Sequence, residues 1–217
     1  MFQELKKERF KAIDNLSSSI YNLIIGACLL YGFLVNAIIV ATCSQFFTDL
    51  NPLVLIIGYF VLCISGIFMS RSKSPLVSFL GYNLVVVPIG AVLSVSLPYY
   101  AMSDILSAIV ITGVVVAVMM LLSTLFPNLF SRLGRVLFIS LLVSLLAQLV
   151  ASFFAFSGGV FNWIFVVIFA LYIGYDWYRA QMYPKTLDNA IDCVLDLYLD
   201  IINLFLRILQ IISRNRD

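Results

Sequence analysis

Histidine is absent from all 217 residues. Its absence removes imidazole bases, histidine-containing zinc sites and the side chain that ordinarily changes charge near neutral pH. Any titration near neutrality is left to perturbed carboxylates or thiols. Charge is scarce as well: Asp, Glu, Lys and Arg make up 11% of the chain and apolar residues 63%, against roughly 25% and 45 to 50% in soluble domains. The net charge is only +2, and the basic residues sit in short clusters at segment ends, which argues against a nucleic-acid partner. Cysteines are few and scattered. Cys28, Cys43, Cys63 and Cys193 form no CxxC pair, lie in or beside apolar runs, and read as small buried apolar residues. Long polar loops are missing too, so no soluble domain is expected.

What remains is long uncharged stretches. No charge falls between Asp14 and Asp49, Asp49 and Arg71, Lys73 and Asp104, Asp104 and Arg132, or Arg135 and Asp176. Each gap holds at least one helix of about 20 residues, the length that crosses a ~30 Å hydrocarbon core. Seven apolar segments are predicted, at 19–44, 52–69, 75–98, 104–126, 134–156, 160–180 and 187–212. Turn-forming links such as TDLNP, SRSKSP and SGG separate them. The expectation is an all-α integral membrane protein whose seven-helix domain spans 19–212, with an N-terminal segment at 1–18 and a short basic tail at 213–217. The N-terminal segment carries both signs of charge, and the apolar run after it is too long for a cleavable signal, so it is expected to remain.

Arginines and lysines orient the segments. Lys6, Lys7, Arg9 and Lys11 precede the first; Arg71 and Lys73 follow the second, Arg132 and Arg135 the fourth, Arg179 and Lys185 the sixth. Alternate links agree, which places the N-terminus in the cytoplasm. Arg214 and Arg216 dissent if the last segment also crosses. Pro88, flanked by Gly81 and Gly90, reads as a tolerated packing kink in the third segment. Gly26, Gly32, Gly58, Gly66 and Gly113 read as sites of close helix packing.

The last segment opens DNAIDCVLDLYLDIIN, with Asp188, Asp192, Asp196 and Asp200 at every fourth position. At about 100° per residue, Asp192, Asp196, Asp200, Asn203, Arg207, Gln210 and Arg214 fall in a stripe about 80° wide, with apolar residues filling the rest. Asp188 lies on its shoulder and reads as an N-terminal cap. Two arrangements give such a stripe: a helix spanning the bilayer with its polar face turned to a bundle interior, or one lying flat in the interface. Asp176 also reads two ways. It is a snorkelling or salt-bridged acid one turn before Arg179, or it faces an acid of the last segment. Two such carboxyls in a low dielectric cannot both ionise cheaply and titrate as a unit.

These residues resemble the Bax inhibitor one family, also called the transmembrane Bax inhibitor motif family. The resemblance rests on YDWYRAQ with Tyr175 and Asp176, on DLYLDIINLFLRILQI with Asp196, Tyr198, Asp200, Asn203 and Phe205, and more loosely on 75–94. It implies seven transmembrane helices with the last one central in a bundle of six. It also implies a pH-sensitive calcium leak in a bacterial inner membrane, gated by Asp176 and Asp200 sharing a proton. Arg71 is the nearest match to an arginine that latches the helix-six aspartate. Asp196 matches an acid of eukaryotic members; Asp192 has no counterpart, and the lysine-rich tails of some relatives are lacking. On this reading Asp192, Asp196 and Asn203 line the pathway. Asp176, Asp196 and Asp200 are candidate calcium ligands, since hard oxygen donors suit that ion. The expected partners are lipid, calcium ions and protons, with no tightly bound cofactor and no catalytic residues. Rival readings are a non-conducting membrane stress modulator, a proton-coupled cation transporter, and an intramembrane aspartyl protease. That protease class uses GxGD where this chain has LYLD, and a PAL motif that this chain lacks.

Overall fold

In the computed structural model, residues 16–72, 74–153 and 159–214 are described. The basic cluster at 6–11, Lys73, Arg216 and most of the 213–217 tail lie outside them. The long helices are α1 (Ser18–Thr48), α2 (Pro52–Ser70), α3 (Pro75–Ser96), α4 (Met102–Leu125), α5 (Leu133–Phe153), α6 (Gly159–Met182) and α7 (Leu187–Arg214), with a single helical turn at Pro127–Phe130. Among the described residues there is no strand. The first six are long and apolar enough to cross a membrane; α7, which carries the acids, is not counted with them.

The helix starts follow local chemistry. Ser17 caps α1, its hydroxyl accepting from the Ile20 amide, and Asn51 caps α2, accepting from Leu53 at 2.9 Å. Pro52 and Pro75 occupy the first positions of α2 and α3, where a missing N–H costs nothing. Helix α1 runs four residues beyond the predicted end at 44. There Thr42, Ser44 and Thr48 hydroxyls donate to the carbonyls of Ile38, Val40 and Ser44, so the polar side chains serve the helix instead of ending it.

The chain divides into two compact units. One holds α1, α2, α3 and the start of α7 through Asp196; the other holds α4, α5, α6 and α7 from Leu197. In the first, α3 packs on both α1 and α2. A Cβ on Gly66 would meet the Gly81 carbonyl oxygen at 2.6 Å, and one on Gly81 would collide with the Ser70 amide nitrogen. These two glycines let the backbones of α2 and α3 touch. Gly26, Gly58 and Gly113 meet nothing within 4 Å, so the packing role expected of them belongs to Gly66. Helix α3 continues through Pro88, and Tyr82 ties it to α1 by donating to the Cys28 carbonyl at 3.0 Å. In the second unit α6 packs on α4 and α5. Ser123 of α4 donates to the Gly174 carbonyl at 2.6 Å, and Trp177 donates to Thr124 at 3.2 Å. Phe130 abuts Gly174, and the Tyr175 ring abuts Gly134, so the YD segment is fixed on three sides.

Candidate functional site

Helix α7 carries the polar stripe. Its cap is Thr186, whose hydroxyl accepts from the Asn189 amide at 3.1 Å. Asp188 is not the cap. It sits in the first turn, where the helix dipole favours an acid, and accepts from the Ser78 hydroxyl of α3 at 2.7 Å. Tyr21 of α1 also reaches this end, donating to the Asn189 carbonyl and lying 3.4 Å from the Cys193 sulfur. The four cysteines are free, with Cys63 and Cys193 buried.

The apolar residues of α7 are enclosed by protein: Val194, Leu197, Tyr198, Leu204 and Leu209 are fully buried. A helix lying flat in the interface leaves that face for lipid. In α7 these residues are covered by protein instead.

Within the first unit, Arg71 at the end of α2 donates to Asp196 at 3.1 Å, the arginine side chain 53% exposed and the acid 20%. The partner of Arg71 is thus Asp196, on α7. Asp192 stands among the charges of Asp188, Asp196 and Arg71. One of its carboxylate oxygens is buried with no hydrogen-bond partner among the described residues.

Within the second unit, Asp176 and Asp200 are both buried, at 7% and 9% exposure. They lie on successive helices, and Tyr172, one turn before Asp176, is near enough to feel the charge of both carboxyls. Arg179 pairs with Asp176 at 2.9 Å. Asn203 donates back to the Leu199 carbonyl of its own helix at 2.7 Å. Arg207 donates to Asn162 at 3.0 Å and Gln148 at 3.4 Å. Sequence reasoning placed Arg207 on the stripe but missed Asn162 and Gln148. Their signal was available, as isolated amides inside long apolar runs. Among the described residues no three Cys, Asp or Glu side chains converge as a metal centre.

Six apolar spans and a polar-striped helix that carries a buried acid define a multi-pass helical membrane protein. The family model described as Inhibitor of apoptosis-promoting Bax1 matches residues 14–217, and the chain belongs to this Bax inhibitor family. No curated protein matches it.

Proposed function

We propose that the protein is a pH-sensitive calcium leak channel of a bacterial inner membrane, with its N-terminus in the cytoplasm and α7 as a seventh crossing. The observation that carries this reading is the burial of Asp176 and Asp200 on α6 and α7 of one unit, with Tyr172 near both. Arg179 offsets one of the two negative charges; the other is poorly solvated out of water, which favours a single shared proton. The leak is closed while the pair holds that proton and opens when the arrangement breaks. Arg179 holds Asp176 in place from its own helix. Arg71, on Asp196, latches the first half of the stripe in this reading. Along α7, Asp192, Asp196 and Asn203 line the route of the ion, and in the second unit Asp176 and Asp200 offer it transient oxygen contacts.

The test is calcium flux into liposomes between about pH 6 and 8, followed as a function of pH. Asp176→Asn and Asp200→Asn should each flatten the pH profile. A profile unchanged by both substitutions rules out the pair as the gate, and absence of any calcium flux favours a non-conducting membrane protein. Flux of other cations with proton exchange in place of calcium favours the transporter reading. We propose no catalytic role for the acids, since Tyr198 and Leu199 stand before Asp200 where intramembrane aspartyl proteases have GxGD.

A further inference from the structure

Between Asp200 and Arg214, Arg207 is the only charge on α7. It lies about 10 Å beyond Asp200 along the helix axis and within about 20° of it around the axis, so both belong to one stripe. Its guanidinium donates to the Asn162 and Gln148 side-chain oxygens and lies 4.3 Å from the centre of the Phe165 ring. Asn162 is 9% exposed and Phe165 0%. Arginine cannot give up its proton in a protein. Among the described residues no carboxylate lies within ion-pair distance of Arg207, whereas Arg71 pairs with Asp196 and Arg179 with Asp176. Amide dipoles and a ring face solvate this charge without cancelling it.

We propose that Arg207 is the valence-selective barrier of the leak: a fixed positive charge on the stripe that every cation passing Asp200 must also pass. This inference rests on the leak reading of the stripe. It makes a demand that the leak reading alone does not. Electrostatic work grows in proportion to ionic charge, and rate falls exponentially with barrier height. Removing the charge must therefore multiply the flux of a divalent ion by about the square of the gain for a monovalent one. A gain of about threefold for potassium goes with about tenfold for calcium.

The experiment compares calcium and potassium flux through the full chain in liposomes, for the wild type, Arg207→Gln and Arg207→Lys. Arg207→Gln should raise calcium flux by about the square of its potassium gain, while Arg207→Lys, which keeps the charge, stays near wild type. Equal gains for both ions overturn the barrier, because a loosened bundle leaks without regard to valence. A gain in Arg207→Lys matching that of Arg207→Gln overturns it as well. If the wild type conducts and Arg207→Gln changes nothing, the barrier falls and the leak reading stands. If neither conducts any cation, both fall. Where Arg207→Gln does not fold, Asn162→Asp sets a carboxylate beside the guanidinium and should give the same valence-dependent gain; no gain there overturns the proposal.

Discussion

The two ends of α7 treat arginine differently. Near its start, Arg71 reaches a carboxylate, Asp196, while about half of the arginine side chain stays in solvent. Beyond Asp200, Arg207 is held by two neutral amides and a ring. An ion pair near water gains little, since solvent screens it and two long side chains lose freedom. A half-buried cation set among dipoles is stabilised without being neutralised, so its field persists along the stripe. The first arrangement suits a latch that opens at small cost. The second suits a permanent electrostatic feature.

Stability measurements in detergent can break or sharpen this contrast. Asn162→Leu should have the largest effect, about 1.5–3 kcal/mol of destabilisation, because it removes an acceptor from a charged, half-buried donor. A loss no greater than that from an exposed substitution would mean that Arg207 has turned towards solvent. Next comes Thr186→Ala, which removes the α7 cap and should cost about 1 kcal/mol, lowering the melting temperature without altering any ion pair. Gln148→Leu should cost less than Asn162→Leu, since its contact with Arg207 is longer at 3.4 Å. Arg71→Ala should cost least, under about 1 kcal/mol. A double-mutant cycle with Asp196→Asn should show coupling that shrinks as salt is raised. Coupling above about 2 kcal/mol would place the Arg71 pair in a buried setting and erase the difference between the two ends.

Much of the helical layout was legible because helix formation is local. Charge-free gaps, Pro52 and Pro75 at helix starts and the fourfold aspartate spacing each act within a turn or two of chain, and the predicted segments fall within a few residues of α1 to α7. Cap identity was less legible. Asp188 and Thr186 are both good cap residues, and the choice fell to Thr186 while Ser78, 110 positions away, took up Asp188. Glycine roles were less legible still. Gly66 and Gly58 look alike in sequence, yet only Gly66 meets a neighbouring backbone.

The sequence by itself determined that α7 is an amphipathic helix with a narrow charged stripe, because a 3.6-residue repeat needs no distant partner to be read. It determined the family as well, through the acids and aromatics of that helix and the YD segment. Only the tertiary structure decided which distant residues the charges meet. Arg71 and Asp196 are 125 positions apart and Arg207 and Asn162 are 45 apart, and contacts at such separation depend on how helices pack and not on any local pattern. The same packing decided how far each acid loses water: Asp200 is buried while Asp196, one turn before it, keeps a partial exposure.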